Sequence, residues 1–381
     1  MRKYLKQISI AVLAAASLSA CLKEPVDDGP GPGAGKTSYV YNWPLIADSS
    51  YNSLIANFYN ASGKYYNENN SGKTTFHYWR NAHALDVLID AYLRKNNDPQ
   101  IKLRMDELLA GMKTQNGNTY INHFYDDMEW MALACIRAFE ATNDPAYKTT
   151  AQLLWNDIKG GWDDRWGGGI YWNKDRANKN TPANAPASII ASRMYQLNHD
   201  PVDLDWAKKI YQWQKTNLVD PVTGLVWDGL DGTGTNKAWK FTYNQGVHIG
   251  AGVELYKITG DAVYMNDALR TANNSLTGDF TSGNIMKDEG GGDGGLFKGI
   301  LVRNLLLLIT DGALSSTDKT KFANFLYLNA QTLWLQGTSR PAVIYGPKWT
   351  TMVTSTDLST QLSGAMAIEA AARLKALDLV D

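Results

Sequence analysis

Asp126 and Asp127 stand side by side in HFYDDMEWMALACIRAFEA, where a polar stretch runs into a strongly apolar one. Two carboxyls held together can break a glycosidic bond. One protonates the departing oxygen while the other attacks the sugar carbon or stabilises the charge that grows on it. The same pair also suits the first turn of a helix, where acids accept free N–H groups and meet the positive end of the helix dipole. On the residues alone both readings stand. Neighbours on a helix point about 100° apart, so both can face one cleft only at a helix end. Their separation is then expected nearer the ~5–5.5 Å of retaining glycosidases than the wider inverting spacing. Two carboxyls this close do not both ionise easily, so one should stay protonated near neutral pH beside an ionised partner.

Other chemistries find less support. Asp27-Asp28 lies in a Gly- and Pro-rich stretch, and Asp163-Asp164 and Asp288-Glu289 lie in Gly-rich loops. Asp163-Asp164, between Trp162 and Trp166, is either a sugar-contacting loop or a solvated one. The five histidines are His77, His83, His123, His199 and His248, and the chain has no HExxH, CxxC or GxSxG motif. DEGGGDGG lacks the spacing of a calcium loop, and no GxxxxGK[ST] occurs. No essential metal and no nucleotide are therefore expected.

The pair needs a rigid support, and the chain supplies helices throughout. Apolar residues recur at three-four spacing over 48–61, 78–95, 99–115, 126–142, 145–158, 184–198, 203–217, 243–259, 261–275, 297–311, 316–335 and 355–377. Asn97-Asp98-Pro99, Asn143-Asp144-Pro145, His199-Asp200-Pro201 and Gly260-Asp261 punctuate this run with helix stops and starts. Twelve helices in six hairpins without a tight repeat predict an all-α fold, an (α/α)6 barrel. The segment after Asp127 fits an inner helix. Its charged residues from Met128 to Ala141 are Glu129, Arg137 and Glu140, which fall within about 80° of each other on a helix, so the rest of it can be buried.

The 381 residues carry 13 Trp and 20 Tyr against 9 Phe, an excess of rings with a polar edge that suits sugar ligands as well as helical cores. Net charge is −1, without a basic stripe, so nucleic acid is not an expected partner. MRKYLKQ followed by ISIAVLAAASLSA reads as a signal peptide over residues 1–20, its apolar run shorter than a membrane-spanning helix needs. Removing its Arg2, Lys3 and Lys6 leaves −1 − 3 = −4. Leu18-Ser19-Ala20-Cys21 resembles a bacterial lipobox, which implies lipidation of Cys21. Residues 21–38 then form a tether, and a single domain runs over 39–381. The expected location is the bacterial cell envelope, lipid-anchored at the outer membrane on its surface or periplasmic face, and the expected state is a monomer. Cys135, left without a cysteine partner inside an apolar helix, is expected to be core.

Four blocks, in order along the domain, resemble glycoside hydrolase family 76, the bacterial endo-α-1,6-mannanases. They are YDDMEWMALA from Tyr125, GGGIYWN from Gly167 with the KNTPANAPASIIASRMY that follows, TYNQGVHIGAGVELYKITGD from Thr242, and GDGGLFKGILVRNL from Gly292. The resemblance implies an (α/α)6 fold and retaining hydrolysis of α-1,6-linked mannan without a cofactor. It makes Asp126 the nucleophile and Asp127 the general acid/base. Around them Tyr125, Trp172, Tyr243 and Phe297 are expected to stack on sugar faces. Asn244, Gln245, Asp293, Lys298 and Arg303 are expected to bind hydroxyls, with helix packing the competing role for each. His123 either meets a hydroxyl or lines the loop, and Trp79 is expected to fill core rather than cleft. Two other functions fit the same residues: transfer of mannan to a second sugar, and glycan binding without catalysis.

Overall fold

Asn-Asp-Pro turns join the helices in pairs. In Asn143-Asp144-Pro145 the asparagine takes the left-handed conformation that ends one helix, at φ 56°. Asp144 accepts the N–H of Ala146, and Pro145 opens the next helix, where its missing N–H is harmless. His199 and Gly260 stop their helices with the same backbone, Asn96 and Asn97 take it just beyond the end of the helix before Asp98, and Asp98, Asp200 and Asp261 start the next. The computed structural model describes residues 39–381. The expected signal peptide, Cys21 and the tether lie outside the described residues.

Among the described residues twelve α-helices form the (α/α)6 barrel expected from the periodicity. They are α1 Trp43–Phe58, α2 Tyr78–Arg94, α3 Pro99–Gln115, α4 Tyr125–Thr142, α5 Pro145–Lys159 and α6 Ala185–Asn198, then α7 Pro201–Leu218, α8 Thr242–Thr259, α9 Ala262–Ser275, α10 Gly294–Asp311, α11 Ser316–Thr332 and α12 Leu358–Ala376. The even-numbered helices pack in a ring that α12 closes against α2. The odd-numbered helices form an outer layer, with α1 returning to pack on α12. Burial follows this division. On α8 every residue from Thr242 to Leu255 is buried, whereas α3 buries one face. Close approach within the ring depends on glycine: a Cβ on Gly246 would come within 2.8 Å of the Leu301 backbone on α10.

Some boundaries differ from the sequence reading. Helix α1 starts at Trp43 rather than 48, because Asn42 accepts the Leu45 N–H and Pro44 suits the first turn. It ends at Phe58 because Tyr59–Asn60 pairs antiparallel with Tyr65–Tyr66. Similar short ladders occur in the long loops, where an all-helical reading had no strands. The charged stripe of α4 also differs. Glu129 is fully buried, neither of its oxygens has a partner in good hydrogen-bond geometry, and burial pushes its carboxyl well above the usual range. Arg137 turns inward to Asp86 and Asp90 of α2, and Glu140 alone is exposed.

Short turns lead from each inner helix to the next outer one, and long loops lead from outer to inner. All six inner helices therefore begin at the loop end, and their N-terminal dipoles converge there. The other end is stitched by ion pairs: Asp86 and Asp90 with Arg137 and Arg303, Arg94 with Glu369, and Arg193 with Glu254. A cavity of about 660 Å³ opens among these pairs, on the far side of His83 and Trp130 from the helix starts. Cys135 is buried, with no disulfide partner among the described residues. Among the described residues no helix is long and apolar enough to cross a membrane.

Candidate active site

Helix α4 begins where the chain from Ile170 to Asn173 crosses its start. Phe124 bridges to Asn173, and the Tyr125 N–H donates to the Trp172 carbonyl at 2.9 Å. Gly161 presses on the Tyr125 ring, close enough that a Cβ there would sit 2.9 Å from it. This packing fixes Trp172 over the helix start, where its indole N–H donates to Asp126 Oδ2 at 3.0 Å. The other oxygen of Asp126 accepts the Asp127 N–H at 3.0 Å. Asp126 thus performs the helix-start role with one oxygen and presents the other to the cleft, so the two sequence readings are compatible.

Both carboxyls are partly exposed at the loop end, yet their surroundings resist charge. Burial raises Asp126 to about 7. Hydrogen bonds from Trp172 and the Asp127 N–H lower it, and the charge of Asp228 raises it. Asp127 rises well above the usual carboxylate range, first through burial and then through the negative charges of Asp126 and Asp293. Asp127 lacks the donors that stabilise an ionised Asp126, so the proton belongs on Asp127. The geometry offers a carboxylate beside a carboxylic acid, which is what attack with simultaneous protonation needs.

Inner-helix starts supply the surrounding walls. Tyr243 of α8 stacks on Phe297 of α10, with ring centres 4.1 Å apart, and its hydroxyl donates to Asp228 at 2.8 Å. Asn244 Nδ2 donates to the same Asp228 oxygen at 3.0 Å. Asp293, at the start of α10, has a largely exposed side chain and accepts from Arg80 of α2 at 3.1 Å. Trp172, Tyr243, Phe297 and Asp293 stand around the acid pair, with Asn244 fully buried behind them and bonded to Asp228.

Five expected contacts go elsewhere. Tyr125 is buried beneath Gly161 and presents no open ring face. Gln245 is fully buried and uses its amide on Val226 and the Phe241 carbonyl, fastening the loop before α8. Lys298 is buried over Trp349 and donates to the Pro347 carbonyl. Arg303 sits nine residues into α10, about 13 Å from its start, and pairs with Asp90 at the other end of the barrel. His123 is exposed and meets Asp175 at 3.1 Å rather than the acid pair. Trp79 is half-buried with its ring edge on His83. Asp163 is held by Lys179 and the Tyr171 hydroxyl, so the Asp163-Asp164 loop is an internal brace.

Sequence reasoning missed Asp228 and Arg80. Asp228 lies in a Gly-rich loop, where no periodicity marks an inward-facing acid. Its nearest signal is Trp227-Asp228-Gly229 placed shortly before the aromatic start of α8. Among the described residues no group of three or more His, Cys, Asp or Glu is arranged to hold a metal ion.

A double ring of helices with an acid pair and aromatic walls at the loop end defines a helical-barrel glycosidase. Residues 45–377 match the model of glycosyl hydrolase family 76, and the chain belongs to that family. It is 43% identical to an alpha-1,6-mannanase of Salegentibacter sp. HEL1_6, with a TM-score of 0.85 over 88% of this chain and 100% of that one. That structure is of a variant described as inactive, with two adjacent aspartates replaced by alanine, in complex with alpha-1,6-mannotetrose. A protein of Listeria innocua is 35% identical, with a TM-score of 0.82 over 88% of this chain and 99% of that one. The mannan endo-1,6-alpha-mannosidase DCW1 of Saccharomyces cerevisiae is 29% identical over 231 residues, 52% of this chain and 51% of that protein. The chain spans about half the length of the curated relatives it matches.

Proposed function

We propose that the protein is a retaining endo-α-1,6-mannanase. The observation that carries this reading is the unequal pair: Asp126 bonded by the Trp172 N–H, and Asp127 kept protonated by burial and neighbouring charge. Asp127 protonates the glycosidic oxygen while Asp126 attacks the anomeric carbon. Asp127, now a base, then takes a proton from the water that releases the sugar from Asp126. Trp172, Tyr243 and Phe297 offer ring faces, and Asp228, held in place by the buried Asn244, and Asp293 offer polar atoms for hydroxyls. The yeast and Salegentibacter relatives supply the linkage, since both are described by activity on α-1,6-linked mannan. Incubation with linear α-1,6-mannan is expected to release oligosaccharides whose new reducing ends are first α by NMR. Initial β anomers would refute retention, and an absence of new ends would refute the activity.

Cys21 is proposed as a lipid anchor holding a monomer at the outer membrane of a bacterial envelope, on the strength of Leu18-Ser19-Ala20-Cys21 alone. Cys21→Ala is expected to move the protein from the membrane to the soluble fraction of fractionated cells. An unchanged membrane share would remove the anchor from the account.

A further inference from the structure

Trp239 is the most exposed aromatic residue among the large exposed apolar side chains of the described residues, at 56%, followed by Trp172 at 37%. A single exposed apolar residue needs no special explanation. Trp239 differs because its backbone is tied to Asp228 beside the acid pair, on the chain that leads into a cluster of rings there. Tyr243 and Phe297 stack beside Asp228, and Phe241 packs on both, with ring centres 6.0 Å and 5.2 Å away. Phe241 has extended backbone, and Trp239 stands two residues before it in the non-helical chain that enters α8.

The backbone around Trp239 is anchored at several points. Its carbonyl accepts the Asp228 N–H at 3.1 Å, tying it to the loop that faces Asp126. Lys237 lies over the Trp227 ring at 4.7 Å, and Lys240 reaches Asp279 at 3.4 Å. The indole N–H makes no hydrogen bond within the described chain. An aromatic face displayed on a pinned loop, with a free donor at its edge, can take a sugar ring at little ordering cost.

We propose that Trp239 is an outer subsite of the cleft, stacking on a mannose unit beyond those that contact Trp172 and Tyr243. The assignment rests on the mannanase reading and adds to it a preference for longer chains. The test is kcat/KM on α-1,6-mannotriose and α-1,6-mannohexaose for wild type, Trp239→Ala and Trp239→Phe. The hexaose-to-triose ratio is expected to fall about fivefold in Trp239→Ala, in keeping with one aromatic contact, and to recover in Trp239→Phe. A ratio equal to wild type, or equal losses on both substrates, would overturn the subsite and leave the mannanase reading in place. Failure of the wild type to cleave either substrate would overturn both.

Discussion

Asp126→Asn is expected to leave the barrel folded and to reduce release of reducing ends from α-1,6-mannan by at least about a thousandfold, roughly 4 kcal/mol of barrier. The amide oxygen keeps the acceptor for the Asp127 N–H, and only the bond from the Trp172 indole at the partly exposed helix start is lost, so the barrel has little reason to unfold. It removes the nucleophile, and no neighbour stands ready to replace it. Asp228 is occupied by Tyr243 and Asn244, and Asp293 by Arg80. Asp127→Ala is expected to lose about a hundred- to ten-thousandfold on the same polymer, the usual range for a proton-transfer group. The two variants separate on an aryl α-1,6-mannobioside whose phenol departs without a proton. Asp127→Ala should recover the first step on that substrate and accumulate the glycosyl-enzyme, whereas Asp126→Asn should not. Recovery in Asp126→Asn instead would exchange the two roles. Near-wild-type cleavage of mannan by either variant would end the assignment.

The parts of this molecule that were readable in its sequence are those governed by local chemistry. Asn143, Asp144 and Pro145 each have one conformational preference, and together they describe a helix stop and restart without reference to anything distant. Four such turns gave the pairing of helices, and the apolar periodicity supplied their lengths. The acid pair was readable as a candidate, but on its own it suited an ordinary helix start equally well, and its separate roles came from the family resemblance. Polar residues further along the inner helices were not readable. Gln245, Lys298 and Arg303 look alike in sequence, each a polar group on a nearly all-buried helix. One fastens a loop, one reaches the Pro347 carbonyl and one pairs at the far end. Which direction each faces depends on its rotation around a ring that exists only once α12 meets α2. Asp228 was hidden for the opposite reason. Its position depends on a loop held by Asn180 and Thr181, which lie about fifty residues away.

Trp172→Phe is expected to move the acidic limb of the pH–rate profile upward. In the wild type, kcat/KM should rise with pH as Asp126 ionises near 7 and fall at higher pH as Asp127 loses its proton. The two limbs belong to the pair, since each carboxyl responds to the charge of the other. The Trp172 N–H bonds the ionised form of Asp126 better than the protonated form, so it lowers the pH at which the nucleophile becomes available. Phenylalanine keeps an aromatic face and removes that donor. A hydrogen bond to a charged group contributes roughly 1.5–3 kcal/mol, so a shift of the limb by about one pH unit is a conservative expectation. At pH 6 this corresponds to a loss of about tenfold in kcat/KM, shrinking toward about pH 9, where Asp126 is ionised in both proteins. Trp172→Ala, which also removes the ring face, should add a loss that is the same at every pH. A limb that stays in place in Trp172→Phe would mean that the indole serves only as a surface for the sugar. Burial and the α4 dipole would then set the nucleophile's charge without it.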